Sequence, residues 1–330
     1  MTFKEIASQI QEASAKRKAL AEKLKHKLQF FPVNEANLSG KKITGVDGGF
    51  LKKQLYGASF IIRRASAVTF YYGETLKTSY SPAKIPNPEI IAINESLDEL
   101  EFNTYASLLR VEKEISTALE SIKTNKPYAL LLDGSIVLHP SSTTKTNSFA
   151  YKKYTEVIEL FKQLYSFCIE NNILLIGVIE DSRSKKLSSL FLEKNECIFS
   201  DSLLLSRIMK KNQQTKYFPY SAEPITPILK DLGHFSKNLY SFYFRASDYD
   251  LPLRIDFLSN NPEQDSKTIS ELLLPLSNKF KEYSYPVVLI EADARAKLSE
   301  RDISFVIKIL KENLGNLPDL SELRREKRII

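Results

Sequence analysis

The chain has 330 residues, 43% hydrophobic and 26% charged, enough apolar side chains for a sizeable core and too many for a disordered or fibrous sequence. Its formal net charge of +7 fits a polyanionic partner. No apolar run reaches the roughly 18–20 residues of a membrane span, and the charged N-terminus lacks the apolar block of a secretory signal, so the expectation is a cytoplasmic protein with no membrane partner. Two cysteines, Cys168 and Cys197, and three histidines, His26, His139 and His234, are too scattered for a zinc site.

Residues 3–28 read as a long amphipathic helix, with Phe3, Ile6, Ile10, Ala13, Leu20 and Leu24 at three-four spacing. Arg17 interrupts that stripe, and Lys16, Lys18, Lys23, Lys25 and Lys27 make the opposite side basic. Such a helix can pack on its own domain or on a second subunit. From residue 42 the period becomes that of strands. An apolar strand at 43–47, ended by Gly48-Gly49, is followed by β-branched and aromatic runs at 55–63 and 66–72, which together imply an antiparallel meander. Pro82, Pro86 and Pro88 mark an extended loop over 81–90. A helix follows at 94–123, its apolar face formed by Leu108, Val111, Ile115, Ala118, Leu119 and Ile122. An apolar strand at 128–132 runs into Asp133-Gly134. A helix at 150–171, a buried strand at 173–179 and a polar loop at 180–184 come next. This βββαβαβ order predicts a mixed sheet flanked by helices.

The last third is less regular. Residues 212–236 hold three prolines and Gly233 and read as an insertion. Strands are expected at 240–245 and 253–257, and helices at 265–283, from Pro286 onward and at 299–313. The run Arg324-Arg325-Glu326-Lys327-Arg328 is a solvated charge cluster. The organisation expected is an N-terminal helix over 1–30, an α/β domain over 40–300 and a C-terminal helical extension with a basic tail over 301–330.

Two apolar strands each end in Asp-Gly, in GVDGG at 45–49 and in LLLDGS at 130–135. Asp-Gly is a common turn dipeptide, but a carboxylate followed by glycine also lets a metal or phosphate approach the backbone closely. In an RNase H-like sheet the first and fourth strands lie side by side, and Asp47 and Asp133 would then point into one cleft. Clustered carboxylates call for a cation, and hard oxygen ligands suit Mg²⁺ or Mn²⁺. The intervening helix offers Glu112, which borders the apolar face, and Glu114, better spaced relative to the following strand. After the strand at 173–179, Arg183, Lys185 and Lys186 would hold a phosphate backbone, with Ser182 and Ser184 as hydrogen-bond donors; either serine could equally cap a helix.

The ordered motifs VDGG, a glutamate-bearing helix, LLLDGS, IGVIEDSRS and YPVVLIEAD resemble those of the NurA nucleases, from about residue 40 to residue 300. The resemblance implies an RNase H-like fold and Mn²⁺-dependent exo- and endonuclease cleavage of single- and double-stranded DNA. It also implies a ring-shaped homodimer and a hexameric HerA helicase-translocase as partner in resecting DNA ends for recombinational repair. Position by position it makes Asp47 and Asp133 the catalytic aspartates, Glu114 (alternatively Glu112) the helical glutamate and Tyr285 a functional tyrosine. Asp293 stands where the family commonly has histidine. The last helix of related nucleases often supplies an aspartate to the metal, so Asp293 is expected as an acidic ligand. Arg254 and Asp256, in PLRIDF, resemble a further motif, and alternation along a strand is expected to let at most one of them face the cleft.

Two other readings compete. Actin-like sugar kinases share a related core and a DGG phosphate turn. They need further glycine-rich loops, and this chain has only 10 glycines. A catalytically degenerate DNA-binding subunit regulating HerA is suggested by the histidine-to-aspartate change.

Overall fold

The computed structural model describes residues 2–139, 142–220 and 226–315. The basic run at 324–328 and Pro224 lie outside these residues. In chain order the elements are α1 (Phe3–Lys25), β1 (Phe30–Pro32), β2 (Lys42–Gln54), β3 (Ser59–Tyr72), β4 (Leu76–Ser81), β5 (Glu89–Ile93), α2 (Glu99–Asn125) and β6 (Ala129–Asp133). There follow α3 (Tyr151–Glu170), β7 (Leu174–Ile179), α4 (Asp201–Leu205), β8 (Gln213–Thr215), β9 (Phe218–Pro219) and α5 (Pro227–Asp231). The last are β10 (Leu239–Arg245), β11 (Leu253–Leu258), α6 (Pro262–Ser277), α7 (Val287–Ala296) and α8 (Glu300–Leu314). The fold is mixed α/β. The chain divides into two compact units, one of Met1–Gly40, Leu131–Ile136 and Leu174–Val287, the other of Lys41–Leu130, Val137–Ile173 and Val288 onward.

In the second unit the strands run in the order β6-β2-β3-β4, with β5 also on β3. The start of β6 is tied to β2 by the Tyr128 amide, which donates to the Lys42 carbonyl at 2.8 Å. The expected meander is present with different bounds. Gly48-Gly49 does not end the first strand: β2 continues to Gln54, and β3 is one strand where two were expected. The reason is tertiary. An unbroken antiparallel register pairs Asp47 with Ser66, Gly48 with Ala65 and Gly49 with Arg64, and the glycines serve close packing rather than a turn. A Cβ on Gly45 would stand 2.8 Å from the Val288 carbonyl oxygen, and one on Gly49 would stand 2.6 Å from that of Ala296. The backbone of α7 is therefore laid directly on β2. The extended segment expected over 81–90 gives way to β5, which pairs with β3 through Ile61 and Ile91.

Helix α2 begins at an Asp98 cap, whose carboxylate accepts the Glu101 amide at 2.8 Å. It ends at Lys126, held at φ 46°. Its expected apolar stripe is buried throughout, with Phe102, Ala106 and Leu109 packed against Ile61 and Ile93. Helix α8 opens at Ser299, whose amide and hydroxyl both donate to Asp302 Oδ2 at 2.7 Å, and packs Ile303 and Val306 on Ile62.

In the first unit the order is β1-β8-β10-β11-β7-β6, with β9 on β10. Every residue of β11 is buried. Residues 212–236, expected as an insertion, supply β8, β9 and α5 within this frame, with Gln214, Thr215, Ile228 and Leu229 buried. The expected N-terminal helix starts at a reciprocal Thr2–Glu5 cap. Its C-terminal half packs inside the unit, Leu24 against Leu192 and Leu204, while Phe3 is 91% and Ile10 60% exposed. Cys168 is fully buried, where burial pushes its thiol up to about 12; Cys197 is half-buried.

Candidate active site

Asp47 sits in the middle of β2 and is 9% exposed. Alternation along the strand puts its side chain on the face shared by Gly45 and Gly49, the face that receives α7. Its carboxylate accepts the Gly48 amide at 2.7 Å. Gly48 faces the other way, and a Cβ there would meet the Glu114 side chain at 3.2–3.3 Å. The absent side chain thus lets a buried Glu114 carboxylate lie against the strand one residue from Asp47. Arg110, one turn earlier on α2, donates to Glu114 Oε2 at 2.7 Å and also contacts the Gly48 carbonyl.

The alternative glutamate is engaged elsewhere. Glu112 accepts from Arg63 at 2.5 Å and from Lys153 at 2.6 Å. Burial works to raise its carboxyl, but the hydrogen bonds from Lys153 and Arg63 outweigh it and hold the group below the usual range. Glu89 bridges Arg63 and Lys113 in the same network. Asp293 is exposed on α7, beside the buried Ala292. Its neighbour Glu291 is tied to Arg295 and Tyr80.

In the first unit, Asp133 ends β6. Its Oδ1 accepts the Tyr285 hydroxyl at 2.6 Å, and that hydroxyl also stands 3.1 Å from the Val178 carbonyl. Tyr285 is buried, and burial, followed by the charge of Asp133, pushes its phenol well above the ordinary value. So engaged, the phenol holds the Asp133 carboxylate to the end of β7. The turn after Asp133 needs two glycines. Gly134 adopts φ 108° and its amide donates to the Val178 carbonyl at 2.8 Å. A Cβ on Gly177 would come within 2.5 Å of the Gly134 oxygen. Glu180 is a residue the sequence reading passed over as loop. Burial and then Asp133, Asp181 and Asp250 raise its carboxyl, against a hydrogen bond from Tyr283.

The basic loop separates into different roles. Arg183 and Lys185 are exposed. Ser182 Oγ accepts the Ser184 amide and Ser184 Oγ accepts the Lys186 amide, so each serine caps a turn and neither starts a helix. Lys186 lies 3.7 Å over the Tyr220 ring and donates to the Tyr220 carbonyl. Burial, then the nearby Arg254, push its ammonium down to about 8.

Arg254 and Asp256 require a correction. They stand two apart in β11, not side by side, and so share one face. Both are buried, with Arg254 Nε 2.8 Å from Asp256 Oδ1. Asp256 also accepts Ser241 Oγ at 2.6 Å and Ser135 Oγ at 2.7 Å. The serine of the LLLDGS motif therefore anchors the turn after Asp133 to this pair, a link that the motif's hydroxyl alone did not signal.

The donor chemistry suits a hard divalent ion: Asp47, Glu114 and Asp133 offer only carboxylate oxygens. Glu114 in particular is a buried carboxylate already compensated by a cation, Arg110. Among the described residues no three histidine, cysteine, aspartate or glutamate side chains are drawn together closely enough to hold a metal ion.

Among curated proteins no sequence relative is found. Similar solved structures are the NurA nuclease from Sulfolobus solfataricus, a NurA with manganese and a NurA bound to dAMP and manganese. The first is 17% identical, with a TM-score of 0.66 over 95% of this chain and 98% of that one. The second is 12% identical, with a TM-score of 0.62 over 95% and 99%. The third is 11% identical, with a TM-score of 0.65 over 97% and 99%. The NurA domain profile matches residues 41–298, a span that takes in the β2 aspartate, the α2 glutamate, LLLDGS and YPVVLIEAD, and the chain belongs to the NurA family.

Proposed function

We propose that this protein is a divalent-metal-dependent DNA nuclease with an RNase H-like arrangement of its strands. The observation that carries the reading is the NurA family match over residues 41–298, a span that contains Asp47 and Glu114, the latter a buried carboxylate laid against Gly48 on the face of β2 opposite Asp47. Asp47, Glu114, Asp133 and Asp293 are the ligands we assign, with Mn²⁺ or Mg²⁺ as the ion; Glu112 is engaged by Arg63 and Lys153 and takes second place. We assign both Asp47 and Asp133 to the metal on the resemblance of their motifs to those of the family. When bound, such an ion activates a water and stabilises the leaving oxygen of a phosphodiester.

Tyr285 is a positioning residue, donating its hydroxyl to one oxygen of Asp133. Arg183 and Lys185, both exposed, and Lys186, with the Ser182 and Ser184 hydroxyls, supply phosphate contacts, so binding falls with salt and is largely independent of sequence. Manganese is favoured because two of the similar NurA structures are of NurA with manganese. The wider reading is exo- and endonuclease action on single- and double-stranded DNA by a cytoplasmic homodimer that resects ends with a HerA translocase.

The test is digestion of end-labelled linear DNA with Mn²⁺, alone and with a HerA hexamer. Asp47→Asn and Asp133→Asn should each abolish cleavage while DNA binding in EDTA survives. Full activity in either variant refutes the assignment. Binding without cleavage by the unmodified protein at every Mn²⁺ concentration would instead identify a degenerate, DNA-binding subunit.

A further inference from the structure

A cavity of about 320 Å³ opens in the first unit between the edge strand β1, its neighbour β8 and one face of α6. Its size lies near the lower end of ligand pockets, roughly 300–1,000 Å³. Its walls are unlike a packing defect. Phe31, 41% exposed, stands directly opposite Gln214 in the β1–β8 register, so the two side chains share a face. Tyr217 closes another side, its ring held edge-on by Tyr240 at 5.7 Å and 88°. Lys216 and Lys267 line the cavity and are exposed, as is Glu263, whose carboxylate is the one acidic group of the lining.

Gln214 is the informative residue. It lines this cavity at 6% exposure, and its side-chain oxygen has no hydrogen-bond partner. A buried acceptor without a donor costs folding free energy and calls for a reason. The hydroxyls nearby do not supply one: Ser266 and Ser270 donate to carbonyls of their own helix, Glu263 and Lys267. The terminal amide torsion of glutamine is broad, so a small turn presents the oxygen to a ligand in the cavity.

Two aromatic rings, an amide that accepts and donates along one edge, and a surplus of one positive charge describe the recognition of a nucleotide. We propose that this cavity binds a nucleobase with its phosphate, the base stacked against Phe31 and Tyr217, its hydrogen-bonding edge on Gln214 and the phosphate on Lys216 and Lys267. Stacking on aromatic side chains and amide contacts to base edges are the usual means of holding unpaired bases. The inference deepens the nuclease reading and rests on it for the source of the base, an unpaired stretch of a DNA strand; a free nucleotide offers the same chemistry.

The experiment is done in EDTA, so that no strand is cut. Binding of a labelled short single-stranded oligonucleotide is read by fluorescence anisotropy, and binding of free deoxyadenylate by calorimetry, with the full chain. Phe31→Ala and Gln214→Leu should each weaken binding on the order of ten-fold, with the thermal midpoint of Gln214→Leu no lower than that of the parent. Lys267→Glu, on the exposed face of α6, should weaken binding and flatten its salt dependence. Loss confined to the oligonucleotide identifies the strand as occupant; loss confined to deoxyadenylate identifies the free nucleotide. Unchanged binding of both ligands in all three variants overturns the proposal. Absence of cleavage by the parent with Mn²⁺ would defeat the nuclease reading while leaving these losses of binding in place, so the two failures are distinguishable.

Discussion

Replacing Arg110 with glutamine tests the assignment of Glu114 without touching a proposed ligand. Arg110 Nη1 stands 2.7 Å from Glu114 Oε2, and the two side chains are 29% and 6% exposed. Removing one partner of a buried ion pair costs ~3–5 kcal/mol, most of it the penalty on the charge left behind. Arg110 reaches solvent, which screens the pair, so the expected loss is about 2 kcal/mol. For units of this size each kcal/mol moves the thermal midpoint by about 2–4 °C, so R110Q should unfold about 4–8 °C below the parent in EDTA. A divalent ion reverses the effect by taking the vacated place beside Glu114. At about 100 times its Kd an ion that binds only the folded state contributes about 2.7 kcal/mol. The deficit should therefore close in Mn²⁺, and R110Q should gain more from the metal than the parent does. Near-UV circular dichroism during heating, with EDTA or a series of Mn²⁺ concentrations, reads both effects. Equal midpoints in EDTA would show that the pair does not stabilise Glu114. Equal metal-induced shifts in parent and variant would remove Glu114 from the ligand set. Glu112→Gln, which breaks the pairs with Arg63 and Lys153, should leave the response to Mn²⁺ unchanged.

Three further outcomes are expected. Gly49→Ala places a Cβ 2.6 Å from the Ala296 carbonyl and should cost about 1–3 kcal/mol in urea unfolding through overpacking of α7 on β2; a neutral result would show that α7 moves away freely. Asp256→Asn leaves the Arg254 guanidinium buried without its carboxylate and should cost ~3–5 kcal/mol, whereas a loss below about 1 kcal/mol would mean that water reaches Arg254. Lys186 carries a folded pKa of about 8, below the unfolded value of ~10.4. The folded state therefore binds fewer protons across that window, so the ammonium destabilises the fold below about pH 8 and the penalty is relieved as pH rises toward about 10. In unfolding curves the stability of the parent relative to Lys186→Met should improve over that range; a constant difference would contradict the depressed pKa.

Hydrophobic periodicity by itself determined where the longer elements lie. The stripe from Leu108 to Ile122 is the buried face of α2, and the apolar runs before Asp133 and up to Ile179 are β6 and β7. The two Asp-Gly motifs likewise marked Asp47 and Asp133 from local sequence, because a carboxylate next to glycine is visible wherever it occurs. Tertiary structure alone decided what each glycine is for. Gly48 and Gly49 read locally as a turn, yet pairing with Ala65 and Arg64 keeps them in a strand, and α2 and α7 occupy the space their side chains would fill. β1, β8 and β9 are two or three residues long, too short to show a period, and exist because neighbouring strands supply their hydrogen bonds. Glu112 and Glu114 lie about 200° apart around one helix, and only the packing of Gly48 against one side and of Arg63 and Lys153 against the other separates their roles. The same holds for Tyr285, Asp256 and Ser135. Their partners are 152 and 121 positions away in the chain, and no local pattern encodes a hydrogen bond whose two ends meet only after folding.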